Sequence, residues 1–232
     1  MFAAEWPVSV DSVKIKSSPT PEFPQQRCTS ILIKSIWYGK DLVLIIYVDD
    51  CGISAPTRER IDEFIQGLKD MKFDLTIEDS FEEFLGIKFK TMDDGSVECT
   101  QRGLIKKTLE AAGMLDCNPN STPAVPTALG SYKDSEPMNE KWNYRTIVGM
   151  LLCLSGNTRP DIALAVSQVC RFASAPKKPQ VSAAKTILRC LKKTMDKGLI
   201  IKPTENPFQL DLHVDADFCG CLDKRILETG RV

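Results

Sequence analysis

Two aspartates stand side by side at positions 49 and 50. LVLIIYV leads into them from Leu42, and CGISA leads out from Cys51. Adjacent carboxylates repel each other and are costly to desolvate, so a pair held between apolar strands calls for a compensating cation. Oxygen ligands at close quarters suit a hard divalent ion such as Mg2+, which also binds phosphates. Two such ions can clamp the attacking and leaving oxygens of a nucleotidyl transfer. The competing reading is a plain polar turn. Asp93-Asp94 is of that kind, because Gly95 follows directly and supplies the turn, whereas Asp49-Asp50 interrupts an apolar strand pair.

A second constellation is basic. Lys185, Arg189, Lys192 and Lys193 fall near one face of an expected helix, with Lys177 and Lys178 just upstream. Such a row can track phosphates, and it can equally be a solvated helix face. The charge distribution of the whole chain bears on this. From Asp41 to Thr100 there are 15 acidic and 6 basic residues, and from Lys141 to Lys202 there are 2 acidic and 12 basic. A net charge of −1 conceals an acidic half suited to cations and a basic half suited to a polyanion. Metal-thiolate chemistry is not supported. The nine cysteines contain no CxxC pair and His213 is the sole histidine, so no zinc-ligand spacing can be assembled. Reduced, mostly buried thiols and a structural His213 are expected. Trp6, Trp37 and Trp142 read as packing residues.

The elements that must position these residues follow from periodicity. Ile31–Trp37 and Leu42–Val48 read as strands joined by a turn, and Cys51–Ala55 as a further strand, which puts the aspartates at the tip of a tight hairpin. The first 30 residues are rich in proline and serine, with one short strand over Val8–Ile15. Thr57–Met71 places Ile61, Phe64, Ile65, Leu68 and Met71 on one face of an amphipathic helix. Phe73–Ile77 is a strand, and Phe84–Lys90 and Ser96–Thr100 flank an Asp-Gly hairpin turn. Gln101–Ala112 is a helix ended by Gly113. A linker with four prolines covers 116–140, and helices follow at Tyr144–Ser155, Pro160–Ala173 and Gln180–Met195, the last stopped by Gly198. Gly198–Lys202 and Gln209–Val214 return to strand-like composition. The fold class is α+β, an antiparallel sheet with helices followed by a helical part.

Several motifs in order resemble one family, the Ty1/copia class of retrotransposon reverse transcriptases. Tyr47-Val48-Asp49-Asp50 matches the YVDD box, Phe84-Leu85-Gly86-Ile87 resembles its FLGI strand, and Gln101 to Ile105 its helix start. Ser121-Thr122-Pro123 is similar to its STP loop, Tyr144 to Leu151 to its Y-R-x-x-V-G-x-L helix, and Thr158 to Ala163 to its TRPDI segment. Ile187 to Lys192 resembles ILRYLK, and Asp215-Ala216-Asp217-Phe218 the opening of the attached RNase H domain. The resemblance covers about residues 27 to 220.

That resemblance implies a poorly defined segment over 1–30, a partial palm over 31–115, a linker over 116–140, a helical thumb over 141–196 and the start of an RNase H-like domain over 197–232. It implies that Asp49 and Asp50 belong to a Mg2+ site that also accepts Mn2+, with Tyr47 and Val48 beside the primer end and nucleotide. The hairpin around Phe84 to Thr100 takes the primer-grip position, and Asp215 is the first RNase H carboxylate, with Asp217 structural. The implied partners are an RNA or DNA template-primer and deoxynucleoside triphosphates, with the basic helix residues on the nucleic-acid backbone. Two departures stand out. The family's third palm carboxylate lies well upstream of its YVDD box, and Asp11 is the sole strand-like candidate here. Asp223 and Glu228 lie in a segment that departs from the family. The expectation is a fragment shortened at both ends that neither polymerises nor cleaves alone. A non-catalytic nucleic-acid-binding module and a decayed retroelement relic are the alternatives. The longest apolar run is seven residues, far below the roughly 20 of a membrane-spanning helix, and no signal-like start is present, so a cytosolic or nuclear protein without a membrane partner is expected.

Overall fold

Alternation of apolar and polar residues builds the first sheet, and the strand registers are specific enough to locate every position along it. The computed structural model describes residues 9–16, 35–38, 42–47, 50–78, 82–124, 129–132, 134–138, 143–202, 216–217 and 228–229. The chain divides into two compact units, 1–90 and 91–232, and the architecture is mixed α+β.

In the first unit, β1 (Ser9–Lys16), β2 (Ser35–Tyr38), β3 (Val43–Tyr47), β4 (Asp50–Ala55) and, after a helix, β5 (Asp74–Glu78) form one sheet. Its order is β2-β3-β4-β1-β5, and all neighbours are antiparallel. The helix α1 (Arg58–Asp70) lies between β4 and β5 in sequence and packs on β4. Leu42, Leu44, Cys51, Ile53 and Ala55 from the sheet side and Ile61 and Ile65 from α1 are buried together. Met71, expected on the apolar face, is 61% exposed. The helix ends at Asp70, and Lys72 turns the chain away with a φ of 64°.

The expected strand over Phe84–Lys90 is two strands. β6 (Glu83–Phe84) and β7 (Ile87–Thr91) are joined by a two-residue turn at Leu85-Gly86, with Phe84 the register partner of Ile87. Leu85 and Gly86 have φ of 52° and 74°, the pattern of a type I′ turn, which continues the natural twist of paired strands. The leucine masked this turn in the sequence, because a bulky residue rarely takes positive φ.

In the second unit, Gly95 has a φ of 78°, and the Met92 N–H donates to the Ser96 carbonyl at 2.8 Å, as expected for the Asp-Gly turn. Strand β8 (Val97–Thr100) leads into α2 (Arg102–Ala111), which ends at Gly113 with a φ of 65°. Helix α3 (Tyr144–Asn157) is capped by Asn143, whose side chain accepts from the Thr146 N–H at 3.2 Å. The helix expected over Pro160–Ala173 is divided: a 3-10 turn over Pro160–Ile162 precedes α4 (Ala163–Cys170). Helix α5 (Lys178–Lys193) follows. α3 packs on α2 and α4, and α5 on α2 and α4. Ile105, Leu109, Ile147, Leu151, Leu154, Val166, Ile187, Leu188 and Leu191 belong to one core.

α5 ends at Lys193, five residues before Gly198, so Gly198 is not the helix stop. Its role is close approach: a Cβ there would lie 2.1 Å from the Cys99 carbonyl oxygen. This lets β9 (Leu199–Ile201) pair antiparallel with β8. The three side chains of β9 are 38%, 49% and 55% exposed. A short antiparallel pair, β10 (Ala216–Asp217) with β11 (Glu228–Thr229), completes the described elements. No helix among the described residues is long and apolar enough to cross a membrane.

Candidate functional site

Apolar strands on either side of the aspartate pair fold it into a hairpin. Val43 pairs with Ser54, Ile45 with Gly52 and Tyr47 with Asp50, which leaves Val48 and Asp49 as the two-residue connection. Those two residues lie outside the described ones. Asp50 opens β4, and both Tyr47 and Asp50 are half-buried. Leu44, Cys51 and Ile53 anchor the hairpin from below at 5% exposure or less.

On its other side β4 meets β1, where Lys14 is the register partner of Asp50 and Asp11 that of Ile53. Asp11 is therefore three register positions along the strand from Lys14. Two adjacent carboxylates suit one hard divalent ion, but a second bridged ion needs another oxygen ligand across the sheet. The flanking register position holds a lysine instead. Among the described residues no group of three or more His, Cys, Asp or Glu side chains could hold a metal ion.

Three cations of the basic row, Arg189, Lys193 and Lys178, have structural partners. Arg189 Nε donates to the Asn118 carbonyl at 2.6 Å, and its own carbonyl accepts from the Asn120 N–H at 3.1 Å. Lys193 Nζ donates to Ser121 Oγ at 2.6 Å. Helix α5 thus holds the loop that carries Ser121-Thr122-Pro123, a connection over some 70 residues that sequence spacing could not reveal. Lys178 pairs with Glu136, and that ammonium holds the Glu136 carboxyl below its usual range. Lys177 precedes the helix and is half-buried, and its backbone N–H donates to Gln180 Oε1 at 2.8 Å. Lys185 and Lys192 are half-buried on the same helix. Asp215 and His213 lie outside the described residues.

A buried polar network was not foreseen. Arg159 is 1% exposed and donates to both carboxylate oxygens of Asp161, at 2.9 and 2.8 Å, and to the carbonyl and hydroxyl oxygens of Thr194, at 3.0 and 2.7 Å. Hydrogen bonding from Arg159 depresses the Asp161 pKa. Beside it Thr158 Oγ1 donates to Gln101 Oε1 at 3.0 Å. This network ties the α3–α4 junction to the ends of α2 and α5, so its role is scaffolding. Burial raises the Cys99 and Cys190 thiols, which keeps them protonated and unreactive. No disulfide joins any of the six described cysteines.

The arrangement can be set beside known proteins. A family model described as reverse transcriptase (RNA-dependent DNA polymerase) matches residues 19–126. An uncharacterized mitochondrial protein of Arabidopsis thaliana is 32% identical over 82% of this chain and 77% of its own length. The retrovirus-related Pol polyprotein from transposon RE1 of Arabidopsis thaliana is 30% identical over 84% of this chain and 13% of its own length. The Pol polyprotein from transposon TNT 1-94 of Nicotiana tabacum is 32% identical over 82% of this chain and 14% of its length. The chain thus spans about one seventh of these two polyproteins. No solved structure matches it.

Proposed function

Because this chain belongs to the Ty1/copia-type reverse transcriptase family of retrotransposon Pol proteins, we propose that it supplies the acidic hairpin and part of the template-primer surface of an RNA-directed DNA polymerase. In this reading 31–115 is palm, 116–140 linker, 141–196 helical thumb and 197 onward the beginning of an RNase H-like domain, where Asp215 is the first carboxylate. The observation that carries it is the Tyr47–Asp50 closure of an apolar hairpin within the matched segment.

Asp49 and Asp50 are the metal carboxylates, Mg2+ is the ion and Mn2+ its substitute. A divalent ion bound there would neutralise charge on the phosphates of an incoming deoxynucleoside triphosphate. The chain's own residues supply position. The buried Leu44, Cys51 and Ile53 fix the hairpin that ends in the acidic tip, Tyr47 and Val48 meet the primer end, and the hairpin around Phe84 to Thr100 grips the primer. On α3, Arg145, Gly149, Leu152 and Gly156 form an exposed row. Space around both glycines is open, so a nucleic-acid backbone can approach the helix closely there. Lys177, Lys178, Lys185 and Lys192 extend this surface along the phosphates, together with whatever donors Arg189 and Lys193 have left beyond the loop they hold.

A second reading, a nucleic-acid-binding module without turnover, is favoured by the exposed row on α3 beside the cations of α5, which can meet phosphates with no metal bound. The two readings separate in one set of measurements on the whole chain. Anisotropy of a labelled RNA–DNA template-primer should show salt-dependent binding, and alanine at Lys185 and Lys192 should flatten the log–log salt slope by roughly 0.9 for each phosphate no longer neutralised. Primer extension with Mg2+ or Mn2+ that Asp50→Asn abolishes supports the polymerase. Binding without extension supports the module, and absence of salt-dependent binding overturns both.

A further inference from the structure

The loop that α5 holds carries a hydroxyl followed by proline, next to two cations. Arg189 and Lys193 lie four residues apart on α5 and so share one face. Arg189 Nε donates to the Asn118 carbonyl at 2.6 Å and Lys193 Nζ to Ser121 Oγ at 2.6 Å. Thr122 follows directly and is exposed, and Pro123 comes after it. The Thr122 carbonyl accepts from Asn120 Nδ2 at 3.1 Å, and Asn120 Oδ1 accepts from the Ser121 N–H at 2.8 Å. These bonds shape the loop without the Thr122 hydroxyl. Residues 118–124 form neither helix nor strand, so no ladder has to be broken for a kinase to take up this backbone. Proline directly after the acceptor is what proline-directed serine/threonine kinases select, and Ser121 lacks it. The two other such pairs in the chain, Ser18-Pro19 and Thr20-Pro21, lie outside the described residues. A phosphate on Thr122 adds roughly two negative charges and three acceptor oxygens to a loop on which Lys193 and Arg189 are already seated, where charge-assisted hydrogen bonds replace neutral ones.

We propose that Thr122 is a phosphorylation site for a proline-directed serine/threonine kinase, and that Lys193 and Arg189 hold the phosphate. The Thr122 hydroxyl oxygen attacks the γ-phosphorus of ATP. The bond from that phosphorus to the ADP oxygen breaks as the new P–O bond forms, and the hydroxyl proton passes to the kinase's general base. The modified loop then takes two cations out of the basic row, and template-primer binding weakens. That consequence rests on the nucleic-acid reading of α5, whereas the phosphate site does not.

The test treats the whole folded chain with such a kinase and ATP. Mass spectrometry of the digest should find phosphate on Thr122, retained in Ser121→Ala and lost in Thr122→Val. The phosphorus-31 resonance of the phosphothreonine, followed against pH, should titrate below the usual second pKa of about 6. Lys193→Gln and Arg189→Gln should each raise it. Circular dichroism identifies any variant that fails to fold, and Lys193→Gln, on an exposed side chain, serves if Arg189→Gln does. Phosphorylation should also weaken template-primer binding about tenfold at 0.1 M salt. A folded chain that carries no phosphate on Thr122 overturns the site. A titration that neither substitution moves overturns the role of the two cations. If the unmodified chain does not bind template-primer, the nucleic-acid reading fails, while mass spectrometry and the phosphorus-31 titration still decide the site.

Discussion

Arg159 is the residue on which the helical unit most depends for its polar order. A guanidinium at 1% exposure is tolerable only because its donors are taken up by Asp161 and Thr194. Asp161→Asn removes the countercharge but leaves the cation buried. Since the Asp161 side chain is itself 53% exposed, the cost should fall below that of a fully buried pair, about 2 kcal/mol by urea denaturation at neutral pH. The pH dependence has a definite sign. The folded pKa of Asp161 is depressed, so its contribution is complete above the unfolded value near 4 and is lost as pH falls through the folded value. Wild type and Asp161→Asn should therefore converge in stability as pH falls through the folded value; a gap that stays constant from neutral pH through the acid limb would contradict this. The string Thr158-Arg159-Pro160-Asp161 was recognisable in the sequence, but its mechanical role was not. Thr194 lies 35 residues away from Arg159, and no local pattern links them.

Elements were legible wherever a period was uninterrupted. α1, α2, α3 and α5 and the strands around the aspartate pair fall within a few residues of where their apolar spacing puts them. What escaped was set by backbone geometry. Leu85-Gly86 reverses the chain inside an apparently continuous strand, and Gly198 serves close approach to β8, not helix termination. A methyl group at Gly198 would meet the Cys99 carbonyl at 2.1 Å, so Gly198→Ala should cost about 2 kcal/mol. It should also strip hydrogen-exchange protection from Leu199 to Ile201, and retained protection would show that the strands adjust. Gly149→Ala is the opposite case. With open space at that position, alanine should stabilise α3 by about 1 kcal/mol through helix propensity. If the row on α3 faces nucleic acid, the same change should weaken template-primer binding, a divergence that a purely structural glycine would not produce. The candidate site was half legible: the acidic hairpin stood out in the sequence, whereas its neighbour strand could not be assigned, because pairing with β1 is non-local.

At the scale of the whole molecule, the near-neutral net charge hid two units of different character, and the acidic and basic stretches could be read from the sequence alone. Each unit has its own buried core, one under the sheet and one among the helices. The division at 90/91 was not legible, because it falls inside β7, next to a hairpin that reads as continuous in sequence. The pairing of β9 has a consequence for the chain in solution. Leu199, Ile200 and Ile201 are exposed on the last strand in its sheet order, and the exposed Lys197 and Lys202 stand at its two ends. A strand edge of this kind recruits other strand edges, and lysines are the usual guard against it. Their repulsion weakens as the Debye length shrinks from about 10 Å at 0.1 M salt to about 3 Å at 1 M. Light scattering of the purified chain should therefore rise with added salt, and Ile200→Lys should suppress the rise. The ionic strength that loosens its hold on a polyanion would then be the one that drives its own copies together.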